Sequence, residues 1–117
     1  MTVSLKNIVI FVTDLDRAKA FYVDLLGLPL AGRSEMMMEF FPGAPTTLGV
    51  ALALQDEARK LVGRHTGLTL KVEKIEDLCA ALTAGGARFV EPLEASPWGK
   101  MAVIADSDGN QLALVNR

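Results

Sequence analysis

Hydrophobic and polar positions along the chain switch between two periods. Residues 6–12, KNIVIFV, alternate and are rich in β-branched side chains, the pattern of a half-buried strand. Thr13 and Asp14 follow as helix-capping types, and Asp16 stands three after Thr13 in a capping-box-like arrangement. Leu15, Ala18, Phe21 or Tyr22, and Leu25 then recur at helical spacing until Gly27, so a helix is predicted near 15–26. Three more strands are predicted near 29–33, 36–41 and 48–54. DEARKLVG (56–63) reads as a short joining helix.

The second half repeats the order. A strand is predicted at 67–73 and a helix at about 75–84, with Ile75, Leu78, Cys79 and Leu82 on one face and Gly85–Gly86 as terminator. Further strands fall near 87–91, 98–105 and 111–116. Laying each residue over the one sixty places later puts Ile8, Ile10, Val12 and Leu15 on Leu68, Leu70, Val72 and Ile75. The same offset puts GVALAL (49–54) on GNQLAL (109–114). Two copies of one supersecondary unit are expected: repeat 1 over about 5–55, repeat 2 over about 65–116, in a single domain spanning 1–117.

Composition narrows the function. At 117 residues, half of them hydrophobic, the chain can fill a core. A net charge of −2 without a basic patch argues against nucleic acid. One cysteine forms no internal disulfide and fits a reducing, cytoplasmic setting. No basic-then-apolar leader opens the chain, and no apolar run is long enough to cross a bilayer. Cys79 shares the apolar face of its helix and reads as a core thiol. No G-x-S-x-G elbow, P-loop or dinucleotide fingerprint is present.

VTDLDRAKAFYVDLLGL (12–28) and DSDGNQLALV (106–115), with paired βαβββ copies between them, resemble the vicinal oxygen chelate superfamily. This is the group of glyoxalase I, extradiol dioxygenases and the bleomycin- and fosfomycin-resistance proteins. The resemblance covers essentially the whole chain. It implies an α+β fold of two βαβββ repeats, forming a curved mixed sheet around a concave pocket with helices on the convex face. Scaffold likeness alone does not name a reaction.

Family members place metal ligands at the start of the first strand and on the last strand of each copy. Carried over residue by residue, these positions are Asn7, Gly67 and Ala113, with Ala53 as the mate of Ala113 sixty places earlier. Gly67, Ala53 and Ala113 offer no donor. An asparagine oxygen serves hard cations only with partners, and a single histidine cannot supply a two-His, one-carboxylate triad. The expectation is therefore no catalytic residue, no metal and no cofactor. His65 reads as a solvent-facing loop residue, with a displaced ligand as the alternative. DSDGN fails as a calcium loop, since Ile104 and Val115 would hold its end positions; it reads as a polar turn in which Gly109 enters the last strand.

On the implied fold, Ile8, Ile10, Val12, Leu68, Leu70 and Val72 face the helices. The opposite parity gives a pocket of small residues and a few polar groups. Its expected lining is Asn7, Phe11, Ala51, Ala53, Thr69, Lys71, Gln111 and Ala113, joined by Met38 and Phe40 from EMMMEFF (35–41) and by Trp98. Asn7 is expected to bond a neighbour such as Gln111, or a water or ligand oxygen. A buried Lys71 needs either an acid such as Glu39 or an anionic or carbonyl group on a ligand. The methionine run is either an adaptable binding wall or core and dimer packing. Trp98 is either a stacking platform at the rim or a cap on the barrel end.

The function expected is metal-free binding of a small organic ligand, a drug or metabolite, by a homodimer with no nucleic-acid or membrane partner. The alternative is a lyase or dioxygenase whose ligands are displaced to His65, Glu39 and Gln111.

Overall fold

Asp14, not Thr13, caps the first helix. In the computed structural model, which describes residues 2–117, its carboxylate accepts the Arg17 N–H at 3.0 Å. That satisfies one of the free donors of the first turn. Asp16 does not close a capping box; it pairs with Arg33 at 3.1 Å. Strand β1 (Asn7–Val12) leads to α1 (Leu15–Lys19), which widens into a π-helical stretch, Ala20–Leu25. There the Leu26 N–H donates to the Phe21 carbonyl at 2.8 Å. The wider turn sends both Phe21 and Tyr22 inward, edge to face at 4.9 Å, and Tyr22 meets Phe40 at 6.3 Å. Gly27, at φ +72°, closes the segment as predicted.

The remaining elements are β2 (Leu30–Arg33), β3 (Met37–Phe40), β4 (Thr47–Leu52), α2 (Asp56–Arg59), β5 (His65–Lys71), α3 (Ile75–Ala84), β6 (Arg88–Ser96), β7 (Gly99–Ala105) and β8 (Gln111–Val115). They make an α+β fold of two βαβββ modules. Each has its own four-stranded mixed sheet, ordered β1-β4-β3-β2 and β5-β8-β7-β6. The first strand of each module runs parallel to the fourth, and the other pairings are antiparallel. By contacts the chain divides into units Met1–Val62 and Gly63–Arg117.

In the first unit Ile10, Val12, Met38, Phe40, Leu48 and Val50 pack under the helix. In the second, Ile104, Leu112 and Leu114 of the sheet are buried, as are Ile75 and Leu82 of α3 itself. Burying each such side chain contributes about 1.5–3 kcal/mol. Cys79 is buried on the inner face of α3, as its spacing predicts. Desolvation, with a smaller push from Glu76, raises its thiol above 9.0. On the outer side, Lys100 on β7 bonds the Glu76 carboxylate and holds it below 4.5.

One strand and the repeat offset depart from the sequence expectation for physical reasons. β6 continues to Ser96 although Pro92 interrupts its pattern. β6 is a sheet edge, where a missing N–H costs no ladder bond, and the register shifts on both sides of Glu91 absorb the irregularity. The gapless repeat also breaks. Phe11 pairs with Ala51, forty residues on, whereas Lys71 pairs with Val115, forty-four residues on. The β1 and α1 segment thus maps onto β5 and α3 at sixty residues, but β3 and β4 map onto β7 and β8 at sixty-four.

DSDGN is a buried polar staple. Asp106 Oδ1 accepts the N–H groups of Asp108 and Asn110, both at 2.9 Å, and Oδ2 accepts Asn110 Nδ2 at 2.9 Å. Asn110 Oδ1 in turn accepts the Gly63 N–H at 2.7 Å. Gly109, at φ +84°, makes the turn into β8. Among the described residues no helix is long and apolar enough to cross a membrane.

Candidate functional site

Each sheet has one face under its helix and one free of it, and strand parity sorts the candidate residues between them. In the first unit Asn7 and Phe11 of β1 and Ala51 of β4 share the helix-free face. Asn7 stands opposite Thr47, and Phe11 opposite Ala51. The half-buried Asn7 amide makes no hydrogen bond among the described residues, so the expected bond to a neighbouring side chain is absent. Ala53 lies just beyond β4, its N–H bonded to the Val12 carbonyl at 2.9 Å.

Met38 and Phe40 stand on the other face. They pair with Val50 and Leu48 and are fully buried under the helix. They belong to the core rather than to a ligand-facing wall. The residues that β3 turns to the helix-free face are Met37 and Glu39, opposite Ala51 and Gly49. Glu39 was the available signal, because a charge at alternate positions marks the side away from the core.

In the second unit Thr69, Lys71, Gln111 and Ala113 share the helix-free face, Thr69 opposite Ala113 and Lys71 opposite Val115. Lys71 is exposed. Its ammonium is hydrated and needs no buried partner, which removes the argument from Lys71 for an acidic or carbonyl-bearing ligand. His65 opens β5 rather than lying in a loop. It is solvent-facing, and its Nδ1 accepts the Gly67 N–H at 3.0 Å. That bond and the φ of +79° at Gly67 form a bulge between His65 and Thr69.

The strand register also revises the ligand positions. The counterpart of Ala113, opposite Thr69, is Gly49, opposite Val9, and not Ala53. Gly49 has no side chain to donate. A Cβ there would stand 2.3 Å from the terminal methyl of Met37, so the thioether fills the space a longer residue would occupy. The four positions thus hold one amide and three residues without a donor. Among the described residues no three His, Cys, Asp or Glu side chains gather as a metal site. These residues do not fit the family's divalent ion.

A concave site does exist on the second unit. A cleft of about 660 Å³ opens beside the β6–β7 hairpin, lined by Glu91, Glu94, Ser96, Trp98, Met101 and Val115 among others. Its size is that of a small-molecule pocket. Cross-strand pairing puts Glu94 beside Met101, which is itself opposite Val115, on the helix-free face. Trp98, the one aromatic expected at a rim, stands at the hairpin tip with 78% of its surface exposed. Ser96 shapes that tip: its hydroxyl donates to the Gly99 carbonyl at 2.6 Å and accepts the Trp98 N–H at 3.2 Å. The acidic pair Glu91 and Glu94 was missed in the sequence because the strand expected near 87–91 stopped at Glu91 and left Glu94 outside it, whereas β6 runs on to Ser96.

The Glyoxalase/Bleomycin resistance protein/Dioxygenase superfamily profile matches residues 4–114. The chain belongs to that superfamily. Among solved structures of the glyoxalase/bleomycin-resistance fold, one similar chain is a superfamily member from Sphaerobacter thermophilus DSM 20745. It is 30% identical, with 97% of each chain covered and a TM-score of 0.77. UcmS2 is 26% identical over the full length of both chains, with a TM-score of 0.80. TnmS3, an antibiotic binding protein from Streptomyces sp. CB03234, is 27% identical, covering 98% of this chain and 97% of its own, with a TM-score of 0.74. A search of curated proteins gives no match.

Proposed function

We propose that this protein binds a small organic ligand, a drug or metabolite, without a metal ion. The observation that carries this reading is the donor set: Gly49, Gly67 and Ala113 contribute no ligand atom, and Asn7 alone cannot complete a divalent site. A glyoxalase-type superfamily chain that lacks those donors keeps the scaffold's concavity and loses its Lewis acid. The cleft beside Trp98 and the likeness to an antibiotic-binding protein support a binding role.

The test is titration with zinc, nickel, manganese and ferrous iron, followed by elemental analysis after gel filtration. The expected result is less than one metal retained per chain, with Asn7→Ala indistinguishable from the parent. Stoichiometric metal that disappears in Asn7→Ala would overturn the reading. A panel of organic ligands screened by thermal shift supplies the positive half of the test, since ligand that binds only the folded state raises its midpoint.

A further inference from the structure

EMMMEFF (35–41) sets three methionines in succession, and the fold gives each a different surrounding. Met36 lies in the turn before β3 and is 48% exposed. Its N–H donates to Ser34 Oγ at 3.2 Å, and its carbonyl accepts the Leu52 N–H at 2.9 Å. Met38 is fully buried under the helix. Met37 stands between these extremes, half-buried on the helix-free face. It pairs with Ala51, yet its terminal methyl reaches diagonally toward Gly49, into the volume that a Cβ there would need. Val9 Cγ2 borders the same spot at 3.4 Å. The seat is therefore made by a glycine and a valine, neither of which has a side-chain donor. Glu39, opposite Gly49 on that face, offers only acceptors when ionised.

From this arrangement we propose that Met37 is a reversible sulfoxidation site, at which a hydroperoxide unseats the side chain from Gly49. The thioether sulfur gives an electron pair to one oxygen of hydrogen peroxide. The O–O bond breaks, the S–O bond forms, and the second oxygen leaves as water, carrying the proton of the transferred one. Sulfur is oxidised by two electrons and the peroxide is reduced. The product is a polar, chiral group one bond from the methyl. A sulfoxide oxygen held away from water needs a donor. The seat supplies none, and the Glu39 carboxylate on the same face repels its negative end. Water satisfies it instead, so the modified side chain turns outward and leaves Gly49 uncovered. An unbranched side chain can leave in this way without moving a strand. Reactivity within the run follows exposure: Met36 first, Met37 next and Met38 last. Met101, 44% exposed in the second unit, supplies an independent reference for an open thioether.

The test is a time course in hydrogen peroxide with the full chain, read by peptide mapping and mass spectrometry, which assigns the added oxygen to individual methionines. Met36 and Met101 should react first, Met37 about tenfold more slowly, and Met38 about tenfold more slowly again. Met36→Leu/Met101→Leu removes the two open thioethers and leaves Met37 as the reactive one. In that background peroxide should lower the thermal midpoint by about 2–5 °C. The two methionine sulfoxide reductases, one for each epimer, should restore it. Adding Met37→Leu keeps an apolar side chain without sulfur, and the midpoint should then be indifferent to peroxide. Far-UV circular dichroism confirms that each variant is folded before oxidation. Met37 reacting no faster than Met38 overturns the proposal. So does an oxidised Met37 that leaves the midpoint unmoved, or a shift of the same size in the Met37→Leu variant. A sulfoxide that the reductases cannot remove from the folded chain overturns the reversibility.

Discussion

The terminal methyl of Met37 lies 2.3 Å from where a Cβ on Gly49 would stand. One residue's absence of a side chain and the other's flexible end therefore share a single volume on the helix-free face of the first sheet. Methionine suits this, since its unbranched thioether adapts to irregular gaps.

Gly49→Ala tests that sharing. Its other near neighbour, Val9 Cγ2 at 3.4 Å, is an ordinary contact, so only the Met37 methyl has to swing aside. A strand glycine also carries an entropic cost that alanine relieves. The expected change in unfolding free energy is within about 1 kcal/mol. A urea midpoint displaced by much more would mean that Met37 is held rigidly.

Asp106→Ala should be far more damaging. It leaves the N–H groups of Asp108 and Asn110 and the Asn110 amide without their acceptor. Buried donors that lose partners cost about 1–3 kcal/mol each group, so a loss of about 2–4 kcal/mol is expected. Asn110→Ala, which also frees the Gly63 N–H, should fall in the same range. Chemical denaturation of both variants checks this, and near-parent stability in either would show the staple to be dispensable.

Cys79 should behave as an inert core thiol. Its folded pKa is raised above 9.0, chiefly by desolvation, so the neutral thiol is favoured in the fold. The stabilisation from this is fully present below the unfolded thiol's pKa and is lost as pH rises through the folded one. Reaction with a disulfide reagent at pH 7.5 should thus be slow in native protein and rapid in urea. Equal rates in the two conditions would contradict the burial.

Ile8 and Val9 on the sheet-edge strand β1, and Met36 and Leu54 elsewhere in the first unit, expose apolar surface. An uncovered edge of this kind invites pairing with a second chain. A homodimer is expected at tens of micromolar, and a monomer mass by light scattering would refute it.

The sequence by itself determined the elements and their duplication. Residues 6–12 alternate, Gly27 and Gly85–Gly86 stop the helices, and DSDGN turns into β8, because strand parity, caps and turns depend on neighbours a few places away. It also showed that Gly67 and Ala113, at positions where the resemblance puts metal ligands, carry no donor side chain, since that is a property of residue type. Tertiary structure alone decided which side of each strand meets the helix and how the strands slide. In EMMMEFF both parities are largely apolar, so only pairing with Leu48 and Val50 drew Met38 and Phe40 into the core. The exchange of Gly49 for Ala53 arose because the longer β6–β7 hairpin shifts the second copy by four residues, an offset that periodicity cannot register. The cleft beside Trp98 was invisible for the same reason: Pro92 breaks a pattern locally, yet an edge position lets the strand continue past it.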